Sequence, residues 1–231
     1  MSRVRTEALV VRTVEYGESD VIVTLLTESM GKVGVVVRGG RKSSKRVGGA
    51  LEPFHTMEAT LDDKGGDLAV LREGRIVRVR QGIVASLEAM EAAGAALRWA
   101  RHLFPARTRE PDAYAALEEL LDQLDRGAPP RVELARAALR LLAAVGYALD
   151  FDRCVACGRA CPESKPSAID AARGGLVCRA CGGARRMLDA ETRGVGRALQ
   201  LGERVAVSAA QAESLVALVD DAMAAHAGFE R

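Results

Sequence analysis

Two Cys-x-x-Cys pairs, Cys154-Val-Ala-Cys157 and Cys178-Arg-Ala-Cys181, stand twenty residues apart and constrain this chain more than any other feature of it. Thiolates at the two ends of such a turn point the same way, and two turns can close a tetrahedral shell around one ion at about 2.3 Å per bond. Gly158 follows the first pair and Gly182-Gly183 the second. All five cysteines of the 231-residue chain lie between Cys154 and Cys181, whereas a secreted disulfide protein distributes an even set. The pattern therefore reads as reduced, cytoplasmic and locally metal-binding. Four thiolates leave no open position for water, so the expected cofactor is one structural zinc ion and not a catalytic one. Two alternatives stay open. One is a redox-active disulfide. The other is an iron–sulfur cluster, although Cys154-x2-Cys157-x3-Cys161 departs from the bacterial ferredoxin spacing. Cys161 reads as a free thiol or an alternative ligand.

The rest of the chain falls into two periodicities. Up to about residue 80 the pattern is that of short strands: Thr6–Val14, Val21–Thr27, alternating Val33, Val35 and Val37, a weaker Leu51–Leu61, and 75–80. In the last of these, Val77 and Val79 share one face and Arg78 and Arg80 the other. Five or six strands with little helix between them predict a small closed barrel. From Ile83 the period becomes helical, with Leu87, Met90, Gly94, Leu97, Arg101 and Phe104 advancing by three and four. Tyr114 to Leu124 and Val132 to Leu142 give a second and third helix, and a last one opens at Ser208, where Gln211 completes a capping box. Aromatics are only 3% of the chain, so the core must be aliphatic. The expected class is α+β: a barrel over residues 1–81, then a helical domain over 82–231 with the cysteine insert at about 150–187.

Net charge is +2 and argues for no partner by itself, but its distribution does. Arg38-Gly-Gly-Arg41-Lys42-Ser-Ser-Lys45-Arg46 holds five positive charges and no acid in nine residues. A cationic loop with glycine and serine between its charges can approach a phosphate backbone and release its counterions. Arg78 and Arg80 are candidates to extend that patch. The stretch from Gly34 fails as a nucleotide-binding loop, because Gly40 and Arg41 intervene before Lys42-Ser43. Metalloprotease, serine-hydrolase and deaminase motifs are missing, and His55, His102 and His226 are scattered. The expectation is a non-enzymatic protein. Neither a targeting segment nor an apolar run of membrane-spanning length is read in the sequence.

Two stretches resemble a known family. Glu15-Tyr-Gly-Glu-Ser-Asp20 through Gly31-Lys32, followed by Gly39-Gly-Arg41-Lys42-Ser-Ser-Lys45-Arg46, is similar to the N-terminal barrel of RecO, the bacterial recombination mediator. Leu141-Leu-Ala-Ala-Val-Gly146-Tyr-Ala-Leu-Asp150-Phe-Asp-Arg-Cys154-Val-Ala-Cys157-Gly158 resembles that family's junction between helices and knuckle. The resemblance implies an oligonucleotide/oligosaccharide-binding (OB) fold and binding to single- and double-stranded DNA. It also implies annealing of complementary strands and help in loading the RecA recombinase onto DNA covered by single-stranded DNA-binding protein. RecR and the C-terminal tail of the single-stranded DNA-binding protein are the implied partners, and a bacterial, nucleoid-associated cytoplasmic location follows. Arg41, Lys42, Lys45 and Arg46 fall in the family's DNA-facing loop. Some members lack the zinc cysteines, which supports a structural metal. Only Tyr16 and Phe54 are aromatic in the barrel block, so binding is expected to be chiefly electrostatic. The alternative is a protein–protein adaptor whose barrel and bundle bind partners without touching DNA.

Overall fold

The structure is a computed structural model, and it describes residues 2–41 and 47–226. Strand β1, Ser2–Tyr16, is long enough to serve two neighbours. Its first half pairs antiparallel with β4 (Thr56–Asp63), and its second half pairs with β2 (Asp20–Thr27). A bulge between Val10 and Arg12 lets the strand turn from one partner to the other. β2 pairs with β3 (Gly31–Val37), which runs parallel to β5 (Leu68–Arg78), and β5 returns to β4. The order β1-β2-β3-β5-β4 closes a five-stranded barrel, the expected OB fold. Ala8, Val23, Leu25, Val35, Met57 and Leu61 fill it, an aliphatic core with no buried aromatic ring among its members.

Two strand expectations need correction. The strand expected from Leu51 begins only at Thr56, because Gly48–Leu51 form a turn of 3-10 helix and Phe54 sits at a φ of +73°. Near the end of β5 the two arginines do not share an environment: Val77, Arg78 and Val79 are exposed and Arg80 is wholly buried. Carboxylates from a following helix meet Arg80 there, which makes burial of a guanidinium affordable.

A short turn, α1 (Gln81–Val84), leads to α2 (Leu87–Leu103), whose first turn is capped by the Ser86 side chain accepting from Ala89 N–H. The buried face of α2 is Ala89, Ala92, Ala93, Ala96, Leu97, Trp99, Ala100 and Leu103; of the expected stripe Ile83, Leu97 and Phe104 are buried, whereas Leu87 is 67% exposed. Alanines let α2 pack closely where larger side chains would hold it off. Helix α3 (Pro111–Asp125) buries Tyr114, Leu117, Leu121 and Leu124 as expected. The chain divides into two compact units, Met1–Gly127 and Ala128–Arg231, so α1–α3 belong with the barrel, and the change from strand to helix at residue 81 lies inside the first unit.

In the second unit, α4 (Pro130–Ala144) is buried from Glu133 through Leu139 and packs against α5 (Ala190–Gln200) and α6 (Ala209–His226). The capping box holds: Ser208 N–H donates to Gln211 Oε1 at 2.9 Å, and Gln211 N–H to Ser208 Oγ at 3.2 Å. Between α4 and α5 lies a small sheet in the order β6 (Asp150–Cys154), β8 (Gly175–Leu176), β7 (Ser167–Asp170), β9 (Arg186–Leu188). Among the described residues no helix is long and apolar enough to cross a membrane.

Candidate nucleic-acid interface and metal centre

One end of the barrel brings two turns together. The β1–β2 turn and the chain leaving β3 are tied by main-chain and carboxylate bonds: Gly39 N–H donates to Asp20 Oδ1 at 2.8 Å, and Arg41 N–H to Ser19 O at 3.1 Å. Arg38 and Arg41 are exposed there, and the Arg41 guanidinium lies 3.3 Å from the Glu15 carboxylate. Lys42, Lys45 and Arg46, the remaining charges of the expected loop, lie outside the described residues.

Arg78 and Arg80 are placed elsewhere. The buried Arg80 guanidinium donates to Asp122 Oδ1 at 2.8 Å, Glu118 Oε2 at 2.8 Å, Phe54 O at 2.8 Å and Thr56 Oγ1 at 3.0 Å. Its backbone N–H donates to His55 Nδ1 at 3.1 Å. Arg78 shares Glu118 and lies 3.4 Å from Asp122. Arg80 therefore ties the barrel to α3 and cannot reach a phosphate, contrary to its expected role. Arg78 is half-exposed but is committed to the same carboxylates.

Sequence reading missed the arginines on the barrel's outer β1–β4–β5 surface. Arg3 and Arg72 flank Asp62 at 3.0 and 2.5 Å, and Arg5 and Arg75 flank Glu58 at 2.6 and 2.8 Å. Hydrogen bonds from Arg72 and then Arg3 hold the Asp62 carboxyl below the usual range, and Arg5 followed by Arg75 do the same for Glu58. Glu7 and Glu73 lie across from Glu58 and Thr60 in the strand register, so this surface is a balanced lattice of charge. Only cross-strand register brings these residues together; the nearest partners are 10 to 59 positions apart in sequence.

The metal expectation meets a clear geometric test. The Sγ atoms of Cys154, Cys157, Cys178 and Cys181 all lie within 4.8 Å of one another. Cys157 and Cys178 are 3.8 Å apart, matching the edge of a tetrahedron with metal–sulfur bonds of about 2.3 Å, which is about 3.8 Å. Each pair sits on a turn closed by main-chain bonds, Gly158 N–H to Cys154 O at 2.8 Å and Gly183 N–H to Cys178 O at 3.1 Å. Gly158 at a φ of +71° and Gly182 at +97° take the left-handed conformation that lets the chain leave each turn. β6 delivers Cys154, and Cys178 follows β8 two residues on; Cys178 N–H donates to Cys154 Sγ at 3.4 Å. That bond, with further backbone N–H groups, draws the Cys154 thiol down to about 6. Cys181 is pushed up to about 12, first by hydrogen bonding with the Cys178 sulfur and then with Cys157. Four anions cannot crowd together unaided, and a divalent cation removes that obstacle. Cys161 is outside the cluster, its N–H bonded to Asp152 O at 2.8 Å and its thiol pushed up by burial.

Elsewhere in the second unit, buried Arg193 of α5 donates to Ser167 Oγ and Pro162 O at 2.8 Å, to Lys165 O at 3.3 Å and to Cys161 O at 3.4 Å. Arg186 pairs with Asp221 of α6 at 2.5 Å. His55 is buried in the Arg80 network, His102 contacts Arg101, and His226 stacks on Tyr147 with ring centroids 5.0 Å apart.

Comparison with known proteins agrees with this anatomy. Residues 1–80 match the family model described as Recombination protein O N terminal, and residues 85–231 match Recombination protein O C terminal. Among curated relatives, the DNA repair protein RecO of Anaeromyxobacter dehalogenans (strain 2CP-C) is 37% identical, covering 100% of this chain and 87% of its own. That of Geobacter metallireducens is 33% identical, covering 98% and 93%. That of Anaeromyxobacter sp. (strain Fw109-5) is 41% identical over 183 residues, 78% of this chain and 70% of the relative.

Proposed function

The chain belongs to the recombination protein O family of DNA repair proteins, and on that premise we propose that it binds single- and double-stranded DNA and anneals complementary strands. It helps to load the RecA recombinase onto DNA covered by single-stranded DNA-binding protein, with RecR and the C-terminal tail of that protein as partners. It works at the nucleoid, in the cytoplasm, as a mediator with no reaction of its own. In this reading the barrel of residues 1–81 is the DNA-facing domain, and residues 82–231 carry one structural zinc ion on Cys154, Cys157, Cys178 and Cys181.

What supports the DNA-binding reading most is the paired turn at the barrel end, where exposed Arg38 and Arg41 open a segment of five cations without an acid. Such a segment neutralises phosphates, and neutralised strands approach one another without their pairing edges being occupied. The DNA-contacting set is Arg38, Arg41, Lys42, Lys45 and Arg46, with Arg78 and Arg80 left to the ion-pair network. A salt-titrated annealing and anisotropy experiment tests this. Replacing Arg41, Lys42, Lys45 and Arg46 by alanine should shallow the slope of log affinity against log salt by about 3 on single strands, at about 0.7 per phosphate contact. An unchanged slope and annealing rate would remove the loop from the mechanism.

A further inference from the structure

The barrel's outer face around β2 and β3 differs in kind from the balanced lattice on β1, β4 and β5. Beyond the Val10/Arg12 bulge, the register puts Arg12, Val14 and Tyr16 on the same side of the sheet as Thr24, Ile22 and Asp20. The same register continues across β3 to Val36 and Gly34, and then to Val70 and Leu68 of β5. The inward-facing positions between them, Val21, Val23, Val35 and Val37, are buried, so this second set faces out. Tyr16 is 58% exposed, Val14 41% and Leu68 42%, while Ile22, Val36 and Val70 are half-buried between them. The other end of the sheet is covered, with Arg107 N–H bonded to Lys32 O at 2.8 Å and Lys32 Nζ to Arg101 O at 2.7 Å. The open part is therefore an apolar strip ending at a tyrosine.

That tyrosine stands beside the cationic turn. Tyr16 pairs with Asp20 in register, and Asp20 Oδ1 is the acceptor that fixes Gly39, between exposed Arg38 and Arg41. Further along β1, one outward position beyond Val14, stands another exposed cation, Arg12. A flat aromatic ring and an aliphatic strip, with Arg12, Arg38 and Arg41 among neighbouring charges that also include Glu15, Glu18 and Asp20, suit unpaired nucleobases joined by phosphates. A duplex hides its base faces by stacking and offers this strip only its backbone.

We propose that Tyr16 is a base-stacking residue, with Val14, Ile22 and Val36 as an apolar floor, and that it makes the barrel prefer single-stranded over double-stranded DNA. This rests on the DNA-binding reading above and adds a selectivity that cations alone do not provide. The ring is an outward-facing side chain without a core role, so its replacement leaves the fold intact.

The test measures affinity of the full chain for a labelled oligo-dT and for a hairpin duplex of equal charge across a salt series. Tyr16→Ala should weaken oligo-dT binding by roughly 5- to 150-fold with its salt slope unchanged, while duplex affinity stays as it was. Tyr16→Phe should keep the preference. In Tyr16→Trp, oligo-dT should quench the new indole and the duplex should not; the native Trp99 is buried and supplies a constant background. Equal losses for both DNAs on Tyr16→Ala, or no loss for either, would overturn the stacking role while leaving the DNA-binding reading standing; the second result would give the strip to a protein partner. Wild-type protein that binds neither DNA would overturn both.

Discussion

Replacing Arg80 by methionine roughly keeps the volume and removes a fully buried charge that four side-chain hydrogen bonds now satisfy. The backbone bond to His55 survives, so four side-chain bonds are lost, two to carboxylates and two to the neutral oxygens of Phe54 and Thr56. Stripping one partner from a buried ion pair costs about 3–5 kcal/mol. Glu118 and Asp122 keep Arg78, and Glu118 keeps the Thr56 hydroxyl at 2.7 Å, which places the expected loss at the lower limit, about 3 kcal/mol. At roughly 2–4 °C per kcal/mol, melting of the first unit should fall by roughly 6–12 °C. Trp99, the single tryptophan, lies in that unit and reports its unfolding by fluorescence. Adding Glu118→Gln should recover part of the loss, because the orphaned carboxylate is then gone. At a temperature where the variant is folded, the salt dependence of DNA binding should match wild type. A loss below 1 kcal/mol, or a salt slope shallower by a full contact, would refute the placement of Arg80 as an internal tie.

Cys178→Ser should abolish binding of about one zinc ion per chain by metal analysis and lower the stability of the second unit, while the Trp99 transition stays put; a variant that keeps its zinc would contradict the four-sulfur shell. Tyr114 is buried with a hydroxyl that has no partner among the described residues, and burial raises its pKa well above the usual tyrosine value. Tyr114→Phe should therefore be neutral or stabilise by up to about 1 kcal/mol in denaturant titration, and a clear loss would mean the hydroxyl is bonded. In acid, Asp62, Glu58 and Asp63 matter together, each held below its ordinary range by arginine hydrogen bonds. Their folded forms release protons at lower pH than the unfolded chain, so their contribution is whole above about pH 4 and is lost as pH falls through the depressed values. The melting temperature should drop below pH 4, and Asp62→Asn should flatten that drop; a wild-type curve already flat to pH 2 would show that these pairs contribute nothing.

What sequence makes legible here is what lies close along the chain. The cysteine cluster needs only two turns and their spacing, and the capping box only residues 208 and 211, so the convergence of the four sulfurs and the box are both legible. Strand β3 alternates cleanly, and the β-branched run Val21–Thr27 marks β2 to within one residue. Helix α5 was missed, because Gly194 and Gly196 interrupt its apolar period; yet a Cβ on Gly196 would come within 2.8 Å of the Phe151 ring, so close packing against β6 replaces the missing propensity. The face of α2 is only partly legible for a related reason: Leu97 is buried as its period predicts, but alanines, weak in any hydrophobic pattern, form most of the buried side. Arg80 reads as one more surface cation until Glu118 and Asp122, about forty residues away, are brought beside it. The Tyr16 strip needs the bulge at Val10 and the register of four strands before its residues share a side.

Arg193 has a consequence for how the insert can change over time. All four oxygens it grasps belong to main-chain carbonyls or to one serine, so it recognises the path of residues 161–167 and is nearly blind to which side chains line that path. Drift in that segment is tolerated as long as the carbonyls keep their positions, and even loss of the sulfur cluster would leave this anchorage to α5 in place. The cysteine cluster and the arginine thus hold the insert through different residues.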